Sequence, residues 1–79
     1  MKELLQKIIL KVYEINEETK HTVFLDFSGH VNKLEIRIYE KGWKDEEDAT
    51  LKKEAYIDES DSKEQLKEIL KELEKIERN

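Results

Sequence analysis

Residues 21–39, HTVFLDFSGHVNKLEIRIY, hold two runs in which apolar and polar side chains alternate, joined at Ser28-Gly29-His30. A period of two is what a half-buried strand requires, and two such runs across a short glycine-containing loop describe an antiparallel hairpin. In the first run, 21–27, Val23, Leu25 and Phe27 share one face and Thr22, Phe24 and Asp26 the other. In the second, 31–39, Leu34, Ile36 and Ile38 oppose Lys33, Glu35, Arg37 and Tyr39. Gly29 is expected to take the positive φ of the turn, which other residues resist. A lone hairpin is marginal in water, so the remainder of the chain must cover the apolar face.

Two segments have the period to do so. Over residues 3–17, Leu5, Ile8, Ile9, Val12 and Ile15 recur at helical spacing, and Leu4 and Tyr13 widen the stripe. At about 100° per residue this stripe covers nearly half the circumference, which implies deep seating on a sheet or a second apolar neighbour. Leu10 projects roughly 140° from Leu5 and is either a stray exposed leucine or a partner contact. Near the C-terminus, Leu66, Ile69, Leu70, Leu73 and Ile76 form a narrower stripe flanked by Glu and Lys at i,i+3. Ser62 and Gln65 before it fit a capping box. Between hairpin and last helix, residues 50–57 alternate Leu51, Lys53, Ala55 and Ile57 against Lys52, Glu54 and Tyr56, and their charges suit an edge strand. The expected fold is α+β, a two-layer α-β-β-β-α domain over residues 1–79 with a three-stranded antiparallel meander and both helices on one face. The other face would carry Phe24, Arg37, Tyr39, Tyr56 and Val31, with Trp43 at the rim beside the turn former Gly42.

A chain of 79 residues is close to the size at which one core only just outweighs backbone entropy. Leu, Ile, Val and Phe supply 22 residues, above the roughly 20% level associated with disorder, so the 44% of charged residues does not forbid folding. The lack of cysteine removes disulfides and thiolate chemistry and suits a reducing cytosol. No apolar run approaches a membrane span, and the expected state is soluble and cytoplasmic. The net charge of -5 is concentrated in residues 43–62, where three lysines face eight carboxylates. An acidic balance argues against nucleic acid as the partner, since phosphate contacts need cations.

The inventory for chemistry is short. Asp26, Ser28 and His30 are the residue types of a nucleophilic triad, but without a nucleophile elbow or a glycine-rich oxyanion hole they read as turn residues. His21 and His30 flank the first strand at opposite ends, too far apart to share a metal. Asp45, Glu46, Glu47 and Asp48 lack the spaced ligands and central glycine of a calcium loop. No phosphate-cradling motif is present, so no enzyme, metal site or cofactor is expected. Phe24, Tyr39 and Tyr56 with Lys33, Arg37 and Lys52 resemble a stacking platform for single strands, although the element order is not that of an RNA-recognition motif. Aromatics and arginine are equally the material of protein interfaces. The expected function is therefore protein binding, by an acidic segment and an aromatic sheet face. Its candidate contacts are Phe24, Arg37, Tyr39, Tyr56, Trp43, Asp45, Glu46, Glu47 and Asp48, and its partner is another protein or a second copy of the chain.

The stretch HTVFLDFSGHVNKLEIRIYEKGW resembles the small uncharacterised proteins that phages and prophages of Gram-positive bacteria encode. The helix, three-strand meander and helix is also similar to some type II-A anti-CRISPR proteins, acidic DNA mimics that occupy a nuclease's DNA-binding site. That second resemblance implies a role for Asp45, Glu46, Glu47 and Asp48 as phosphate mimics, although here the carboxylates are interleaved with many lysines.

Overall fold

The computed structural model describes residues 2–43 and 48–78. Helix α1 (Lys2–Glu18) leads into strands β1 (Thr22–Ser28), β2 (Lys33–Tyr39) and β3 (Leu51–Tyr56), and helix α2 (Ser62–Glu77) ends the chain. The strands form one antiparallel sheet in the order β1-β2-β3, so β2 alone is paired on both sides. Val23 lies opposite Ile38 and Leu25 opposite Ile36, while Leu34 faces Ala55 and Ile38 faces Leu51. These residues share one face, and Ile8, Val12 and Ile15 of α1 and Leu66, Ile69, Leu73 and Ile76 of α2 join them in a single core. Both helices thus cover the same face, as the alternation requires. No helix among the described residues is long and apolar enough to cross a membrane.

Helix α1 ends without glycine because Thr19 replaces one. Its hydroxyl donates to the Ile15 carbonyl at 2.7 Å and accepts the His21 N–H at 3.0 Å. His21 is buried, and its Nδ1 donates to the Glu40 carbonyl, which ties the start of β1 to the end of β2. Each helix also contributes a side-chain amide to the edge strand it covers. Asn16 Nδ2 donates to the Val23 carbonyl at 2.9 Å, and Asn16 Oδ1 accepts the Val23 N–H at 2.8 Å. Gln65 Oε1 accepts the Tyr56 N–H of β3 at 3.1 Å.

Four sequence expectations are corrected. The wide stripe of α1 is not buried throughout: Ile9 and Tyr13 are 55% and 63% exposed. Helix α2 packs along only one flank of α1, where Lys11 reaches Glu77 at 2.9 Å, and among the described residues no element covers the opposite flank. Phe27 faces the helix side by register, opposite Leu34, yet on the edge strand it is 55% exposed while Leu34 and Ala55 in the same row are buried. The hairpin turn, residues 29–32, places Asn32 rather than Gly29 at positive φ, +51°. A short polar side chain tolerates that region, and the Asn32 carbonyl is then free to accept the Ile57 N–H at 2.7 Å. Finally, Gln65 does not close a capping box on Ser62. Asp61 is the N-cap, and Gln65 Nε2 binds the Asp61 carboxylate while its oxygen serves β3.

Replacing Asn16 with alanine removes two hydrogen bonds from the Val23 backbone and is expected to cost about 1–2 kcal/mol in denaturant unfolding. Amide exchange should accelerate first at Val23. The bridge between helices has a pH signature as well. Hydrogen bonding to the Glu77 carboxylate, with smaller help from Glu14, holds the Lys11 ammonium above its ordinary value of 10.5. A raised pKa stabilises the fold below the unfolded value and loses that contribution as pH rises through the folded one. The stability difference between the wild type and Lys11→Met should therefore stay constant up to about pH 10 and shrink above it.

Candidate functional site

The face of the sheet away from the helices is built in rows by the register. Thr22 pairs with Tyr39; Phe24, Arg37 and Lys52 form the next row; Asp26, Glu35 and Glu54 the third; and Ser28, Lys33 and Tyr56 the last. Three carboxylates side by side across a sheet repel one another. Their neighbours along the strands offset this. Glu35 at the centre is 3.7 Å from Lys33 Nζ, Arg37 Nε and Lys52 Nζ, and Glu54 lies 3.8 Å from both lysines. Arg37 Nη2 binds the Asp26 carboxylate at 3.0 Å. Three cations thus balance three carboxylates, and the middle of this face is a neutral ion-pair lattice.

Aromatic residues gather at the end of the face near the start of β1. The Phe24 and Tyr39 rings meet edge to face with centroids 5.6 Å apart, and the Arg37 guanidinium lies 5.2 Å over Phe24. Tyr39 is only 8% exposed. A turn then brings the chain back over this cluster. The Gly42 N–H donates to the Tyr39 carbonyl at 3.0 Å, and Gly42 has φ +84°. An added Cβ there would stand 3.2 Å from the Lys20 carbonyl oxygen, so both the angle and the space call for glycine. Beyond it the Trp43 N–H donates to Thr22 Oγ1 at 3.1 Å, which fixes the Trp43 backbone beside β1 while its side chain stays 53% exposed. Asp48 is exposed and lines a shallow depression with Tyr39, Gly42 and Thr50.

The structure therefore brings together Phe24, Arg37, Tyr39, Trp43 and Asp48 from the expected contact set. Tyr56 shares their face but sits at the far end, in the row of Lys33 and Ser28. Asp45, Glu46 and Glu47 lie outside the described residues. A stacking platform needs free ring faces. Here the Phe24 face is under Arg37, and Tyr39 is buried.

For the other candidate chemistry, Asp26 is bound to Arg37 rather than to His30, and His30 is exposed in the turn. His21 is occupied by the Glu40 carbonyl. Carboxylate oxygens of Glu14, Glu18 and Glu77 lie within 4.8 Å of one another, and Lys11 already stands as counter-ion to two of them. Reading the sequence alone passed over the exposed set on the helix side of β1, Ile9, Tyr13 and Phe27, together with Asn16. Periodicity assigned the first three to the core, and only the limits of the neighbouring elements reveal them as surface. Compared with protein-family models, curated proteins and solved structures, the chain matches none.

The lattice is expected to depend on its central member. Glu35→Ala should cost about 1 kcal/mol, more than an isolated surface pair, because three cations lose their common partner. Thermal unfolding in low salt measures this, and the difference should narrow as salt is added.

Proposed function

We propose that the protein is a small, non-enzymatic, phage-type binding protein of the cytoplasm that docks on another protein through the Trp43 end of the open sheet face. The observation that carries this reading is the mounting of Trp43. Its ring is exposed while its backbone is held by Thr22 and by the Gly42 turn, so little backbone freedom remains to be lost on binding. An exposed tryptophan at the same end of the face as an arginine is the usual composition of an interface anchor. The acidic segment that follows, Asp45 to Asp48 in sequence, supplies charge complementary to a basic partner surface and would steer the encounter more than it would add affinity. The neutral lattice next to the aromatic cluster supplies a rim that neither attracts nor repels.

Affinity capture from a host lysate, followed by titration with the captured protein, tests this division of labour. Trp43→Ala should weaken binding by at least about tenfold with an unchanged circular dichroism spectrum. Neutralising Asp45, Glu46, Glu47 and Asp48 together should slow association and flatten its salt dependence. Displacement by DNA would identify the partner as a nucleic-acid-binding protein and the acidic segment as a phosphate mimic. Capture indifferent to both sets of changes would overturn the assignment of this surface.

A further inference from the structure

The free edge of β1 is only half closed. The outward backbone groups of Val23 are taken by Asn16, which shows that Val23 does not hydrogen-bond to β2. The Ile38 carbonyl opposite it turns the other way, to the Thr50 N–H at 2.7 Å. Since the register between β1 and β2 is continuous, Leu25 and Phe27 present their N–H and C=O groups outward as well. Among the described residues no group hydrogen-bonds to them there. The same side carries exposed apolar side chains. Ile9, Tyr13 and Asn16 are spaced i, i+4, i+7 and share one flank of α1, the flank that Asn16 brings to the edge of β1. Phe27 and, in the hairpin turn, Val31 are exposed below it.

We infer that this edge pairs with the same edge of a second copy, β1 antiparallel to β1, to give a twofold dimer with a continuous six-stranded sheet. Charge on the two edges selects the arrangement. Strand β3 carries Lys52, Lys53 and Glu54, which guard it against pairing, whereas β1 carries only Asp26, already bound to Arg37. Pairing of β1 with β3 of the next copy would also continue into a filament, while β1 with β1 closes. Each chain has a net charge of -5, held within residues 43–62, and pairing through β1 places the β3 strands with their acidic neighbours at the two outer edges.

Of registers centred on Leu25, Asp26 and Phe27, the last carries no conflict. Centring on Leu25 sets Phe27 against the partner's Val23, whose backbone Asn16 occupies. Centring on Asp26 sets two carboxylates face to face. Centring on Phe27 sets Phe27 against the partner's Phe27 and Asp26 against the partner's Ser28, a hydroxyl donor. Leu25 then passes the partner's Gly29, where nothing lies within 4 Å of an added Cβ. In the same register the partner's Val31 comes opposite Val23, on the side of the edge that carries the Ile9 and Tyr13 flank of α1.

This surface lies apart from the Trp43 end, and a monomeric result would leave the proposed function standing. Sedimentation should give twice the 9.5 kDa chain mass for the wild type and for Trp43→Ala. Phe27→Glu, at an exposed position, should weaken self-association by about a hundredfold, while the amides of Ile36 and Ile38 remain protected from exchange. The amides of Leu25 and Phe27 should be protected in the wild type and exchange rapidly in a Tyr13→Lys, Phe27→Glu double variant. A wild type that sediments as a monomer at its highest soluble concentration overturns the inference. So does a dimer that Phe27→Glu leaves intact, or an edge protected only after a foreign peptide is added.

Discussion

A three-stranded meander has one strand paired on both sides and two that each present a row of unpaired N–H and C=O groups, and this shortage of partners shapes the rest of the molecule. The helices compensate in the same way at the two edges. Asn16 of α1 acts as one residue of a missing strand beside Val23, matching donor to acceptor and acceptor to donor. Gln65 of α2 does half as much for Tyr56, and Lys53 extends the β3 edge to Glu68 at 3.2 Å. Packing and edge closure are therefore one feature: the helix that buries Ile15 against the sheet is the helix that brings Asn16 over its side. That coupling also limits the closure, because a straight helix meets a strand edge at one point and leaves the remainder open.

The two faces of the sheet solve different problems with the same alternation. On the helix side, Ile36 and Ile38 are fully buried beneath a common core. On the open side, the register aligns Asp26, Glu35 and Glu54, an arrangement that would be repulsive alone and is stable because Lys33 stands in the row on one side and Arg37 and Lys52 in the row on the other. Glu35, at the middle of the central strand, is the only carboxylate among the described residues within reach of all three cations. A high charged fraction is thus compatible with a small domain where opposite charges alternate along the strands rather than across them.

Element order, topology and the inward-facing residues of β2 were legible from periodicity, since alternation with period two against period 3.6 is a property of the chain itself. What periodicity cannot report is where the neighbour stops. Ile9 and Tyr13 extend the stripe of α1 without interruption, yet α2 covers the opposite flank and the sheet ends beneath them. Phe27 has the right parity for the core but stands on the edge strand, exposed where Leu34 beside it is buried. Local chemistry misled in two places for a related reason: Gly29 is the better residue for positive φ, but Asn32 is where the return to β2 needs it, and Gln65 fits a capping box but is claimed by an orphan amide on β3. Of the candidate contacts, the cluster of Phe24, Arg37 and Tyr39 followed from strand parity, whereas the mounting of Trp43 depends on a turn that folds back twenty-one residues onto Thr22.

Apart from Leu10, the large exposed apolar residues among those described fall into two surfaces that do not compete. Trp43 stands beside Thr22 on the open face, while Phe27 lies five residues along β1 on the helix face, about 16 Å away at the rise of an extended strand. Pairing of β1 edges about Phe27 would leave Trp43 of each chain uncovered, one at either end of the seam. On the proposed reading, two Trp43 anchors on one sheet would engage a repetitive or dimeric partner with a local concentration that a single chain lacks, which would make the open half-edge and the mounted tryptophan worth more together than apart.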